Sequence, residues 1–291
     1  MLSSCIDDCV MMQEPNCLER DRAWLMAIVN VTPDSFYDVS RNVDAEAVMR
    51  RVEEAVAEGA DIVDIGGYSS RPGAKSIDTE EEWRRVELGL KAVERLRSDV
   101  VVSIDTFRSE IVDRAYKGYG RFIVNDISAG ELDERMIDVV AEHRLGYVAM
   151  HMRGTPQDMQ QRCNYDRGVV TEVVEYFDNR VEELVRRGVE RDAIVVDPGF
   201  GFSKTVEQNW ELLSSLDILS KRYRVLAGVS RKSMIYKPLG LEARDVLPAT
   251  LALGWEALRR GAQVLRVHDV GATRQLVDMY NYVKHIADDR G

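Results

Sequence analysis

The sequence predicts a single-domain α/β protein, a (β/α)8 TIM barrel preceded by a short N-terminal extension. Three observations predict it. From Trp24 onward, short apolar runs alternate with amphipathic helical patterns about eight times, the rhythm of strand–helix units that close into a barrel. The strand candidates are continuous apolar runs, as parallel strands covered on both faces tend to be. Nearly every strand candidate also ends in a polar side chain followed by turn residues, where barrel enzymes carry their chemistry. An open doubly wound sheet is the main competitor, but the G-x-G-x-x-G turn that a dinucleotide site needs is absent after the first strand. No linker or low-complexity segment interrupts the pattern. Residues 21–291 are therefore read as one domain, and 1–20 as a poorly ordered extension.

Taken in order, the first strand, 24–30, ends on Asn30 and runs through Thr32-Pro33-Asp34-Ser35-Phe36 into a helix near 44–58. That helix places Val48, Val52, Ala55 and Val56 at helical spacing among Arg50, Arg51, Glu53 and Glu54. The second strand, 61–66, contains Ile62-Val63 and Asp64. It leads through Gly66-Gly67-Tyr68-Ser69-Ser70-Arg71-Pro72-Gly73 to a helix near 79–97. Strand 100–104 opens with three valines and delivers Asp105-Thr106 ahead of a helix near 108–117. Strand 122–126 ends in Asn125-Asp126, and strand 146–151 in Met150-His151; helices follow near 133–143 and 168–187. Strand 193–197 is an apolar run that stops at Asp197-Pro198-Gly199-Phe200-Gly201-Phe202-Ser203-Lys204, before a helix near 205–220. Proline and glycines at that point turn the chain sharply and let the backbone come close to a ligand. Strand 224–229 meets Ser230-Arg231-Lys232-Ser233, and strand 263–267 meets Arg266-Val267-His268-Asp269, with helices near 247–260 and 271–287.

Composition narrows the function. The chain has 291 residues and a formal net charge of −11, which argues against a general nucleic-acid binder. No apolar run approaches the length of a membrane span, and residues 1–20 lack the layout of a signal peptide. Cys5, Cys9, Cys17 and Cys163 fit no zinc spacing and are expected to be reduced thiols of a cytoplasmic protein.

The strand-end groups sort by chemistry. Asp105, Asn125, Asp197 and Lys232, expected from non-adjacent strands, supply carboxylate acceptors, an amide and an ammonium. That set suits a flat heterocycle with several N–H donors and a carbonyl. Arg266 and His268 beside Asn30 form a second cluster suited to an anion, since arginine grips phosphate in a bidentate fork. Asn30 offers an oxygen for Mg²⁺ held together with a substrate phosphate. Against these stand plainer readings. Asp64 and Asp126 are expected to partner neighbouring loops, His151 to sit satisfied in the core, Lys204 to be a surface lysine, and Arg244 and Arg274 to be solvated.

On these motifs, in this order, the chain resembles dihydropteroate synthase, the folate-pathway family targeted by sulfonamides. The match runs over residues 24–287. It rests on Asn30 to Phe36, Ser69 to Ala74, Ile104-Asp105-Thr106 with Asn125-Asp126-Ile127, Asp197 to Phe202, and Ser230 to Ser233 with Arg266 to Asp269. The resemblance implies a transferase that joins 6-hydroxymethyl-7,8-dihydropterin diphosphate to 4-aminobenzoate, giving 7,8-dihydropteroate and diphosphate, with Mg²⁺ as cofactor. It implies that Asp105, Asn125, Met150, Asp197, Lys232 and Arg266 hold the pterin, with Asp105, Lys232, Asn125 and Asp197 as the catalytic set. Asn30, Ser70, Arg71, Arg266 and His268 would bind the diphosphate, with Asn30 also on the metal. Phe36, Ser70, Arg71, Pro72, Phe202, Lys232 and Ser233 would shape the aminobenzoate pocket. The loops near 32–42 and 68–76 would act as a lid. Tyr68 and Ser70 stand where many members have Glu and Thr, and Ser203 interrupts a usual Gly-Phe-Gly-Lys.

Two rivals are kept. A methyltetrahydrofolate methyltransferase would share the pterin contacts but has no need of the Thr-Pro-Asp-Ser-Phe loop or the Arg-Val-His-Asp cluster. A non-catalytic pterin-binding homologue would not need intact Asn30, Asp105, Lys232 and His268. A homodimer is also expected, paired through the 247–287 region with Leu253, Trp255 and Leu258 as candidate contacts.

Overall fold

The computed structural model describes residues 22–31, 41–70, 76–96 and 99–288. The 1–20 extension, its three cysteines and most of the first two loops lie outside that range. Among the described residues, β1 (Trp24–Asn30), β2 (Ile62–Gly66), β3 (Val101–Asp105), β4 (Ile123–Asp126), β5 (Gly146–Met150), β6 (Ile194–Asp197), β7 (Arg224–Ala227) and β8 (Val264–Val267) form a closed barrel in chain order. Every pairing is parallel, and β1 pairs with both β2 and β8. The helices are α1 (Arg41–Ala57), α2 (Thr79–Leu96), α3 (Ser109–Tyr119), α4 (Met136–Glu142), α5 (Val169–Arg186), α6 (Val206–Ser214), α7 (Leu216–Ser220), α8 (Ser233–Leu239), α9 (Leu247–Arg259) and α10 (Val270–Asp288).

Alternation along each strand divides the core in two. Trp24, Met26, Ile62, Val101, Ile123, Val148, Val195, Leu226 and Val264 meet inside the barrel. Their neighbours, such as Leu25, Val63, Val102, Val124, Tyr147, Val196, Val225 and Leu265, face the helices and join the larger core. The inward ladder changes character as it climbs: Ile62 is followed by Asp64, Val101 by Ser103 and Asp105, Ile123 by Asn125, Val195 by Asp197, and Val264 by Arg266. An apolar plug thus fills the lower barrel and a polar layer sits on it, at the C-terminal ends of the strands.

Two helical expectations needed correction. The helix expected over 205–220 is broken at Ser215 (φ −113°, ψ 15°) into α6 and α7. Thr205 and Gln208 start α6 with a reciprocal capping box. The short α8 has no counterpart in the sequence reading; seven residues with Pro238 near the end carry too little periodicity to be seen.

Arg274, expected to be solvated, donates to Asp61 at 3.1 Å from α10, while the Asp61 carboxylate also accepts the Leu25 N–H at 2.8 Å. The contact ties the last helix to the first strand at the barrel base. No helix among the described residues is long and apolar enough to cross a membrane.

Candidate active site

A cavity of about 840 Å³ opens at the C-terminal mouth of the barrel. Asn30, Tyr68, Ser69, Ser70, Asp105, Phe202, Lys232, Ser233, Arg266 and His268 line it, with Met159 and Gln160 from the loop after β5. Asn125, Met150 and Asp197 lie deeper, each almost fully buried. Met150 packs with Ile127, Met152 and Met159, and Phe107 and Phe202 lean on that cluster. Phe36, Arg71 and Pro72 fall outside the described residues, as does most of the expected lid.

The centre of the polar layer is Asp64. It was expected to serve neighbouring loops; instead it is wholly buried inside the barrel. It accepts from Ser103 Oγ at 2.6 Å, Asn125 Nδ2 at 3.0 Å and Arg266 Nε at 2.6 Å. Arg266 reaches on with Nη2 to Asp105 at 2.7 Å. One guanidinium from β8 therefore bridges carboxylates from β2 and β3, and the amide nitrogen of Asn125 is committed to Asp64, leaving its oxygen as an acceptor. Burial opposes the charge on Arg266, but Asp64 and Asp105 outweigh it and hold the guanidinium firmly protonated. Burial pushes the Asp105 carboxyl well above the usual carboxylate range, with Arg266 pulling the other way and Asp64 adding to the rise.

The expectation of non-adjacent strands was incorrect for both pairs: β3 and β4 are neighbours, with Asp105 and Asn125 in register, and β6, which ends on Asp197, neighbours β7, which leads to Lys232. Asp126, next along β4, turns away from the lumen. It accepts from Ser128, Gly130 and the Tyr147 hydroxyl at 2.7–2.8 Å, the structural role expected of it.

Asp197 and Lys232 form the second half of the polar layer. Desolvation raises the Asp197 carboxyl, although the Lys232 charge and the Gly199 N–H, bonded to Asp197 Oδ1 at 2.8 Å, favour its ionised form. Desolvation lowers Lys232 to about 8, with Asp197 opposing the change. The Lys232 ammonium donates to the Phe200 carbonyl and stands 5.0 Å from the Phe202 ring centroid. In the same loop, the Ser230 hydroxyl lies 3.1 Å from His268 Nδ1, and Arg231 pairs with Asp269, 2.8 Å from Nε to Oδ2. Asn30 sits half-buried beside them, at the end of the neighbouring β1.

Lys204 corrects another expectation. It is not a surface lysine but is almost fully buried behind the loop that follows β6. Sequence reasoning missed it because a lysine just ahead of a helix is normally solvated. Nothing in the chain shows that the ammonium folds back under its own turn. Tyr68, in place of the commoner Glu, lies against Phe107 with ring centroids 5.1 Å apart, and its hydroxyl accepts from Gln157 at 3.3 Å.

The model of the "pterin binding enzyme" family matches residues 26–268. A dihydropteroate synthase from Streptococcus pyogenes is 37% identical over 258 residues, 88% of this chain and 93% of that protein. A solved Xanthomonas albilineans dihydropteroate synthase with 4-aminobenzoic acid is 37% identical and superposes with a TM-score of 0.83, covering 91% of this chain and 94% of that one. Another from the same organism, in complex with 7,8-dihydropteroate, is 33% identical with a TM-score of 0.80, covering 91% and 95%.

Proposed function

This chain belongs to the pterin-binding enzyme family, and from that premise we propose that it carries out the dihydropteroate synthase reaction. The substrates are 6-hydroxymethyl-7,8-dihydropterin diphosphate and 4-aminobenzoate; the products are 7,8-dihydropteroate and diphosphate. The observation that carries this reading is the polar layer in which buried Asp64, Asn125 and Asp197 meet half-buried Asp105, Arg266 and Lys232 in the wall of one cavity.

The chemistry follows from that set. A pterin edge carries ring N–H and amino donors beside carbonyl and imine acceptors. Asp197 and the Asn125 oxygen accept from the donors, and Lys232 donates to the acceptors. Arg266, locked flat between two carboxylates, offers its face to the ring. The C–O bond to diphosphate breaks with its electron pair leaving on the oxygen. The positive charge left on the pterin methylene spreads into the ring and is stabilised by the nearby Asp105 carboxylate. The aniline nitrogen, neutral near pH 7, then forms the C–N bond and loses a proton. It needs no strong base, only an activated electrophile, positioning and exclusion of water. Phe202, Ser70, Ser233 and Lys232 bound the space from which it would attack.

His268, Ser70 and the remaining Arg266 nitrogen would receive the diphosphate. Asn30 fits a metal site: Gly66 leaves space beside it, and a Cβ there would stand 3.4 Å from Asn30 Oδ1. One protein oxygen suits Mg²⁺, which keeps several waters and completes its shell with substrate phosphates. When bound, it would neutralise charge on the departing diphosphate.

The test is diphosphate release by the purified protein given the dihydropterin diphosphate and Mg²⁺, with and without 4-aminobenzoate. Release that requires 4-aminobenzoate, and falls at least about a hundredfold in Asp105→Asn, is expected. No release from folded wild-type protein would sink the reading.

We also propose a homodimer, but not through the residues first expected. Leu253 and Leu258 face the core, and Trp255 packs edge-on against Tyr280. The apolar surface on α10 is instead Met279, Tyr282 and Val283, all exposed and at helical spacing. The free thiol of Cys163 is in keeping with a cytoplasmic setting.

A further inference from the structure

The loop after β6 is held by its carbonyls to an unusual degree. Gly199, Gly201 and Ser203 all take positive φ, at 69°, 82° and 50°. A backbone with three left-handed residues in five is not self-supporting and persists only if its surroundings fix it. Each carbonyl from 199 to 203 meets a side-chain donor. The Phe200 carbonyl accepts from Lys232, Gly201 from Gln160 Nε2 at 3.0 Å, and Ser203 from the Tyr165 hydroxyl at 3.1 Å. The remaining two, Gly199 and Phe202, both accept from Lys204 Nζ, at 3.2 and 3.0 Å, and the Phe202 carbonyl also accepts from Ser203 Oγ at 2.7 Å.

Lys204 is not part of the cavity wall. The turn's carbonyls accept from two lysines, Lys232 at Phe200 and Lys204 at Gly199 and Phe202. The third short contact of Lys204 is His151 Nδ1 at 3.0 Å, with the His151 carbonyl at 3.5 Å. Desolvation, then the Lys204 charge, hold His151 neutral, so its Nδ1 can accept. The lysine therefore ties β6 to the end of β5 and, together with Ser203 Oγ, holds the Phe202–Ser203 peptide plane. Phe202 is the aromatic ring of the cavity that this plane carries. Burying the amine is costly: desolvation lowers Lys204 to about 7, with Asp197 opposing, and an apolar residue would serve if the position only needed filling.

We infer that Lys204 is a positioning residue for the arylamine half of the reaction. Bonded to the carbonyls of Gly199 and Phe202, it sets where Phe202 stands and so shapes the subsite for 4-aminobenzoate. The inference rests on the reaction proposed above.

The experiment compares wild-type protein, Lys204→Met, Lys204→Gln and Phe202→Leu in steady-state kinetics with each substrate varied, alongside thermal unfolding. In Lys204→Met, the KM for 4-aminobenzoate should rise about tenfold, the scale set by a small misplacement of a positioning group. The KM for the pterin diphosphate should move less than about twofold. Lys204→Gln, which keeps a neutral donor, should recover part of the loss. Phe202→Leu should raise the same KM, and the Lys204→Met/Phe202→Leu double variant should not add the two effects. Unchanged KM values, or a fall in kcat alone that tracks loss of folded protein, would overturn the inference. So would failure of both lysine variants to fold, which would make Lys204 a core residue only. Wild-type protein that releases no diphosphate would instead remove the reaction itself, and this inference with it.

Discussion

At the residue scale, Asp64 has the largest reach of any group in the polar layer. It orients Asn125, anchors Arg266 and faces Asp105 across that arginine. Removing its charge should cost roughly 2 kcal/mol of stability, less than the usual loss for a broken buried pair, because Arg266 keeps Asp105. Urea unfolding of Asp64→Asn checks this, and the KM for the pterin diphosphate should rise with it. Titration gives a second expectation. Asp105 sits above the ordinary carboxylate range, so it gains a proton at higher pH than an exposed aspartate and kcat/KM falls as pH drops. Lys232, lowered to about 8, loses its proton as pH rises, which gives the basic limb. A Lys232→Arg variant keeps its charge throughout, so its residual activity should lack that limb. A basic limb that survives the substitution would belong to another group.

At the element scale, the loop after β6 shows how tightly secondary structure and site are joined. Gly199 has φ +69°, and a Cβ on it would stand 2.1 Å from the backbone carbonyl of His151. Strain and clash together should make Gly199→Ala unstable by about 3 kcal/mol or more. Gly240 is the control: φ +64°, with nothing within 4 Å of an added Cβ. There only the left-handed backbone penalty applies, about 1 kcal/mol. Thermal unfolding of the two variants measures the difference, and equal losses would show that the His151 carbonyl gives way. The strand ends show the same coupling. Side-chain alternation sends Asp105 inward and Asp126 outward, and thereby separates a site group from a loop-holding one.

At the scale of the whole molecule, closure of the barrel brings β1 and β8 together, placing Asn30 and His268 on one lip. The exposed face of α10, with Met279, Tyr282 and Val283, is the surface on which a second copy is expected. Sedimentation analysis should find a dimer, and Tyr282→Glu should convert it to monomer by placing a desolvated charge in the contact. A wild-type monomer at micromolar concentration would refute that pairing.

The architecture and the address of the site are legible in local sequence. Strand–helix repetition was read correctly because it is local: period and turn chemistry are properties of neighbouring residues. The polar groups at the strand ends could be named for the same reason, since a barrel's mouth lies wherever its strands end. Tertiary structure decided how those groups are used. No local signal distinguished Asp64 from Asp126, or a buried Lys204 from a surface lysine. Nor did any show that Leu253 and Leu258 turn inward while Tyr282 stays exposed. Each of those outcomes depends on what approaches from a distant part of the chain: Arg266 from β8, the carbonyls of a folded-back turn, or the packing of one helix against another. Burial and electrostatic partnership are set by that long-range geometry, because desolvation depends on all surrounding atoms and not on the residue's own neighbours in sequence.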